Sequence, residues 1–251
     1  TVTVGDNKKA LDSVTVNIGR GENVAILGPN GAGKSSFIKT LTREYYPEPD
    51  RKGSVFRVLG EDVWNIFDLR AMLGIVSNDL QSACSTKISG MDMVLSGFFS
   101  SIGICRHRVT QKMKKKASEI MRFLEISHLK NRNMNEMSSG EARRFLIGRA
   151  LVHDPKALVL DEPTNSLDLH ALQKFRNILS KIAGMGTSII IVTHNIQDIV
   201  PEIKRVVLMK NGKFYKDGAK KDILTSQNIS ELFTAKVRIK KIGEYYYSLD
   251  R

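Results

Sequence analysis

Gly28-Pro29-Asn30-Gly31-Ala32-Gly33-Lys34-Ser35-Ser36 is the stretch from which the chain is read. It follows the apolar run Val24-Ala25-Ile26-Leu27 and opens onto Phe37-Ile38-Lys39-Thr40-Leu41, whose apolar residues have helical spacing. The order is strand, glycine-rich loop, helix, with Gly28, Gly33, Lys34 and Ser35 at the offsets of a phosphate-binding loop. Glycines let successive backbone N–H groups turn inward, and the N-terminus of the following helix adds partial positive charge. In such a loop Lys34 reaches the outer phosphates of a nucleoside triphosphate, and the Ser35 hydroxyl completes the coordination of Mg²⁺.

Outward from this loop, strands and helices alternate. Residues 1–22 alternate polar and apolar, as in Val14-Thr15-Val16-Asn17-Ile18, and read as antiparallel strands leading into the loop strand. Beyond the break at Tyr45-Tyr46-Pro47-Glu48-Pro49, strands are expected at Val55-Phe56-Arg57-Val58-Leu59-Gly60 and at Leu73-Gly74-Ile75-Val76-Ser77. From Asp79 to about Arg149 strand signals vanish, and helical spacing appears in Met91–Phe99 and Met113–Leu124. Ala157-Leu158-Val159-Leu160 and Ser188-Ile189-Ile190-Ile191-Val192 are continuous apolar runs suited to parallel strands buried on both faces, with the helical stretch Leu169–Ala183 between them. Val206–Met209 and Phe214-Tyr215 flank an Asn211-Gly212 turn, and Val237–Leu249 alternates about Gly243 as a second hairpin. The expected fold is α/β: a core of residues 1–78 and 150–217 with a mostly parallel sheet and an N-terminal antiparallel β part. A helical insertion covers 79–149, and a helix or hairpin tail covers 218–251.

The totals bound the function. The 251 residues, 41% hydrophobic, supply one large domain or two small ones, and no apolar run approaches the ~20 residues of a membrane span. No signal-peptide pattern opens the chain at Thr1, and the two cysteines, Cys84 and Cys105, lack metal-ligand spacing and read as reduced cytoplasmic thiols. The net charge of +13 is scattered, with a denser patch at Lys112–Lys116. It suits nucleic acid, anionic headgroups or an acidic partner as well as an ordinary solvated surface.

Three further segments carry chemistry. Leu158-Val159-Leu160-Asp161-Glu162-Pro163 is an apolar strand ending in two carboxylates. Asp161 can hold Mg²⁺, and Glu162, pointing differently, can orient and deprotonate an attacking water. Ser138-Ser139-Gly140-Glu141 ahead of an apolar-periodic run is a capping box, and a helix start of this kind is also an anion site. His194 sits where a buried strand emerges and can donate to a γ-phosphate, and Asn165-Ser166-Leu167-Asp168 marks another helix start.

In this order, from about Val14 to Gly218, these segments resemble the nucleotide-binding subunits of ABC ATPases. The resemblance identifies a Walker A loop at 28–36 (Gly28, Asn30, Gly31, Gly33, Lys34, Ser35 and Ser36 on the nucleotide) and a signature segment at Met137–Glu141, with Ser138 and Gly140 as its contacts. Walker B with its glutamate lies at 158–162, a D-loop ends at Asp168, and His194 is the switch histidine. It implies two such domains facing head to tail around two ATP molecules, each ATP between one Walker A loop and the other domain's Ser138 helix start. ATP closes the dimer, hydrolysis opens it, and the motion drives a partner. The chain departs from the family pattern in three ways. Ser139 and Glu141 replace a glycine and a glutamine, Asn78 stands where a Mg²⁺-touching glutamine is expected, with Gln81 three residues on, and no adenine-stacking aromatic occurs in 1–22, where Val4 is near the place.

The resemblance implies a Mg²⁺-dependent ATPase at the inner face of a membrane, docked through the helical insertion on an integral-membrane permease. The run Asp92-Met93-Val94-Leu95-Ser96-Gly97-Phe98-Phe99 reads either as that docking groove or as a packed helix, and its Ser-Gly-Phe-Phe resembles the molybdate and iron-type uptake branch. The second reading is a soluble ABC ATPase acting on the ribosome or nucleic acid, favoured by the +13 charge and by the Lys112–Lys116 patch, while Tyr245-Tyr246-Tyr247 among the tail lysines reads as a hairpin edge more readily than as a base-stacking site.

Overall fold

The computed structural model describes residues 1–5, 8–48, 54–104 and 106–249. Strands β1 (Val2–Val4) and β2 (Lys8–Leu11) pair antiparallel. Then come β3 (Val24–Leu27), α1 (Lys34–Leu41), α2 (Ile66–Met72), β4 (Leu73–Val76) and α3 (Asn78–Cys84). Helices α4 (Gly90–Ser96), α5 (Gln111–Phe123) and α6 (Ser139–Leu151) follow without an intervening strand. The chain ends with β5 (Ala157–Asp161), α7 (Leu169–Gly184), β6 (Ser188–Thr193), β7 (Arg205–Lys210), β8 (Lys213–Ala219), α8 (Lys220–Ile223), α9 (Ser226–Phe233), β9 (Arg238–Ile242) and β10 (Tyr245–Leu249). Two compact units result, Thr1–Ile66 with Ile189–Arg251, and Phe67–Ser188.

In the first unit β3 lies between β6 and β7, parallel to both, and β8 adds antiparallel to β7. Val24, Ala25, Ile26 and Leu27 are all fully buried, as a strand covered on both faces requires. Asn211 (φ +51°) and Gly212 (φ +74°) make the tight turn of the β7–β8 hairpin. That turn also serves the loop after β3, because the Gly212 N–H donates to the Ala32 carbonyl at 2.8 Å. The terminal hairpin β9–β10 forms about Gly243 as expected, and Tyr246 is buried in it beneath Lys220.

In the second unit β4 and β5 pair in parallel register. Five of its helices begin on side-chain caps: Ser77 for α3, Ser89 for α4, Thr110 for α5, Ser138 for α6 and Asp168 for α7. Each cap satisfies a backbone N–H that the first helical turn leaves without a partner.

Two expected strands are absent. Val14–Ile18 keeps its alternation, with Val14, Val16 and Ile18 half-buried and Thr15 and Asn17 exposed, but no ladder is assigned to it. The Asn17 carbonyl instead accepts from Arg205 Nη1 at 2.7 Å. The run Val55–Gly60 contributes only an isolated bridge between Val58 and Glu61. Leu59 (φ +55°) and Gly60 (φ +95°) fold the backbone over immediately after Val58, which leaves no length for a ladder. Cys84 is buried, and Cys105 lies outside the described residues.

Candidate functional site

The glycine-rich loop leaves β3 at Gly28, whose N–H donates to the Thr193 carbonyl at the end of β6 (3.1 Å). It enters α1 at Gly33, which has φ +104°, and a Cβ there would lie 2.8 Å from the Ala10 carbonyl oxygen. Both the dihedral and the space exclude a side chain. Lys34 is buried at 6% exposure, and its Nζ donates to the carbonyls of Gly28 (2.8 Å) and Pro29 (2.9 Å). The ammonium is thus folded back across the loop onto the carbonyls of its first two residues. Ser35 is exposed and Ser36 half-buried on the first turn of α1.

His194 follows β6 directly and is half-buried. Next to it the Thr193 hydroxyl donates to the buried carboxylate of Asp198 at 2.5 Å and accepts from the Asn195 N–H at 2.9 Å. These bonds fix the backbone on both sides of the imidazole. Val4, at the place of an adenine-stacking residue, is half-buried at the end of β1.

In the second unit, Asp161 closes β5 and Glu162 follows with φ +46°, a left-handed conformation that costs a non-glycine residue about 1–2 kcal/mol. Both side chains are half-buried. The Ser138 hydroxyl accepts from the Glu141 N–H (3.3 Å), and the Glu141 carboxylate accepts from the Ser138 N–H (2.9 Å), completing the capping box. Burial pushes the Glu141 carboxyl up, but hydrogen bonding to Ser138 together with the charges of Arg132 and Arg144 more than offsets it and holds it below the ordinary glutamate range. Gly140 sits against α7, where a Cβ would lie 2.9 Å from the Ala171 Cβ. Ser139, standing for a second glycine, donates its hydroxyl to the Ser166 carbonyl at 2.7 Å. Asp168 caps α7 through the Ala171 N–H at 2.7 Å.

The loop after β4 separates its two candidate oxygens. Asn78 Oδ1 accepts from Arg143 Nη2 at 3.0 Å, whereas Gln81 Oε1, a buried atom, has no hydrogen-bond partner among the described residues. An oxygen of this kind fits a hard divalent cation, as do the Ser35 hydroxyl and the Asp161 carboxylate. Among the described residues no group of three or more His, Cys, Asp or Glu could hold a metal. Sequence reasoning missed Arg143 and Asp198, and marked Ser139 only as a departure from the family pattern. The only sequence sign of Arg143 is a cation inside the apolar-periodic run Ala142–Ile147, where Arg144 looks the same.

On the second unit a cleft of about 490 Å³ is lined by Met91, Leu95, Ile104 and Val109 with Lys114 and Lys130. The apolar run at 92–99 divides there. Met93, Val94, Leu95 and Ser96 are all buried, and of the run Asp92 and the edge of Leu95 line the cleft. No helix of the described residues is long and apolar enough to cross a membrane.

A family model described as "ABC transporter" matches residues 11–165. The chain is 32% identical over 223 residues to YlmA, an ABC transporter ATP-binding protein of Bacillus subtilis, covering 87% of this chain and 83% of the relative. It superposes on cbiO1 of Clostridium perfringens, part of the ABC transporter complex cbiONQ, with TM-score 0.70 and 29% identity, over 88% and 86% of the two chains. A dimeric ATP-binding cassette in a post-hydrolysis state with ADP and Pi shares the fold at TM-score 0.65 and 24% identity, over 84% of this chain and 90% of that one. With the family model matched over residues 11–165 and a relative 32% identical along most of both chains, this chain belongs to the ABC transporter family of ATP-binding proteins.

Proposed function

We propose that this protein is the Mg²⁺-dependent ATP-hydrolysing subunit of an ABC transporter, working as a dimer around two ATP molecules at the inner face of a membrane. The observation that carries the reading is the loop 28–36, with its left-handed Gly33 at the start of α1 and the Lys34 ammonium held on the loop's own carbonyls. A triphosphate offers charged oxygens in place of those carbonyls, and the exposed backbone of Asn30 and Gly31 gives it access. Ser35, Asp161 and Gln81 are the residues assigned to Mg²⁺, which when bound neutralises charge on the β- and γ-phosphate oxygens. Gln81 takes this role in preference to Asn78, whose oxygen already serves Arg143.

Glu162 accepts the proton of the attacking water, and His194 donates to the γ-phosphate. Ser138 is exposed at the start of a 13-residue helix, and Leu169, beside Asp168, is 84% exposed. Both are accessible to a second copy, where Ser138 and Gly140 contact its ATP. The cleft of Met91, Leu95, Ile104 and Val109, rimmed by Lys114 and Lys130, suits an amphipathic helix of a permease.

The test is Glu162→Gln. Steady-state hydrolysis should fall by at least about a hundredfold, because general-base assistance is worth roughly 10²–10⁴. ATP binding should persist, and the variant should elute as a dimer with MgATP and as a monomer without it. Undiminished turnover would remove Glu162 as the base, and no binding of ATP by the wild-type chain would sink the whole reading.

A further inference from the structure

Arg143 lies on α6, five residues after the Ser138 cap, and is only 2% exposed. Its guanidinium is shared. Nη2 donates to Asn78 Oδ1 at 3.0 Å, and Nη1 faces two backbone oxygens, those of Asp161 at 3.5 Å and Glu162 at 3.4 Å. Those carbonyls belong to the two peptide planes on either side of the Glu162 Cα. Fixing both planes fixes φ and ψ of Glu162, and therefore the direction of its Cα–Cβ bond. The constraint has something to hold, because Glu162 is at φ +46° while extended and helical conformations are open to a glutamate at lower energy.

We propose that Arg143 is a positioning residue for hydrolysis. It clamps the Glu162 backbone in its left-handed conformation and aims the carboxylate, and Asn78 orients the guanidinium that does so. The proposal rests on the reading of Glu162 as the base. Each Nη1 contact is long and individually weak, but all are donated by a full charge in a buried setting, where such bonds are strengthened. The planar fork is the essential part. A lysine has a point charge and cannot keep one face on an amide oxygen and another on two carbonyls. Asn78 thereby acquires a role that its distance along the chain, 65 residues from Arg143, conceals.

The test uses the full chain and separates turnover from binding. Arg143→Lys and Asn78→Ala should each lower kcat by about tenfold or more, with KM for MgATP within about threefold of wild type. Asn78→Asp, which keeps an oxygen for the guanidinium, should retain several-fold more turnover than Asn78→Ala. Adding Asn78→Ala to Glu162→Gln should cost nothing further, because the pair acts through Glu162. Normal kcat in Asn78→Ala, or a further loss on top of Glu162→Gln, would overturn the proposal. Asn78 is half-buried, so its variants decide the matter even if Arg143→Lys fails to fold. If Glu162→Gln alone left hydrolysis intact while Asn78→Ala lowered it, Arg143 would not act through Glu162 and the base assignment would fail with it. A slow Glu162→Gln beside a normal Asn78→Ala would sink only the clamp.

Discussion

Lys34→Ala tests the phosphate loop through a difference between two states. In the structure the ammonium gives one hydrogen bond each to the Gly28 and Pro29 carbonyls, at 2.8 and 2.9 Å. Hydrogen bonds from a charged donor contribute about 1.5–3 kcal/mol each, roughly 3–6 kcal/mol for the pair. Against this stands the desolvation of a buried ammonium, several kcal/mol. Alanine removes both, so the nucleotide-free protein should lose only about 0–2 kcal/mol of stability. In the ATP complex the same ammonium meets phosphate oxygens with formal charge, and bonds between two ions are about twice as strong as those to neutral acceptors. The exchange gains about one charged hydrogen bond, ~1.5–3 kcal/mol. At 1.4 kcal/mol per factor of ten, ATP should bind about 10–150-fold more weakly.

A fluorescent ATP analogue titrated with Mg²⁺ reads the affinity, and urea unfolding of the nucleotide-free variant reads the stability. Affinity within about threefold of wild type would refute the assignment, since it would leave no surplus for the phosphate. Destabilisation beyond about 4 kcal/mol would also refute it, by showing that the ammonium chiefly staples the loop.

Other outcomes follow from single contacts. Gly140→Ala drives a methyl to 2.9 Å from the Ala171 Cβ and should cost about 1–3 kcal/mol in urea unfolding; Gly140→Ala with Ala171→Gly should recover to within about 1 kcal/mol, and no recovery would mean the strain lies elsewhere. The Glu141 carboxyl is held below its ordinary value, so its contribution is complete above about pH 4.3 and is lost as pH falls through the lower folded value. The stability gap between wild type and Glu141→Gln should therefore shrink in acid, and a pH-independent gap would exclude the capping carboxylate as its source. Burial pushes the Cys84 thiol up and covers it completely. In a Cys105→Ser background a thiol reagent should report no reactive cysteine until the protein unfolds, and labelling of the native protein at the rate of a free thiol would contradict the packing.

Where local chemistry determines the backbone, the sequence was legible. The loop 28–36, the Asn211-Gly212 turn and the capping box at Ser138 each need particular residues at fixed offsets, and each forms as read. Buried strands β3, β5 and β6 were visible as continuous apolar runs. Alternation alone misled at Val14–Ile18, because it reports which side faces the core and not whether a neighbouring strand is present. Val55–Gly60 failed because Leu59 takes a left-handed conformation that no leucine advertises. The site was legible as motifs but not as connections. Nothing in Asp161-Glu162-Pro163 encodes a positive φ at Glu162, and nothing near Asn78 points to an arginine 65 positions later.

Two of the departures from the family pattern, at Ser139 and at Asn78, meet on one helix. Ser139, at the first turn of α6, holds the Ser166 carbonyl, and Asn78 is held by Arg143 one turn further along the same helix. The four residues between Ser139 and Arg143 correspond to about 6 Å of helix axis. Gly140 between them keeps α6 in contact with α7, so the first turn cannot tilt without moving Ala171. A helix so restrained transmits a push at its exposed Ser138 end mainly along its axis, toward the arginine that faces the Glu162 backbone. On the reading proposed above, in which a second copy closes onto Ser138 and Glu162 is the base, closure and the aim of that carboxylate become one mechanical event.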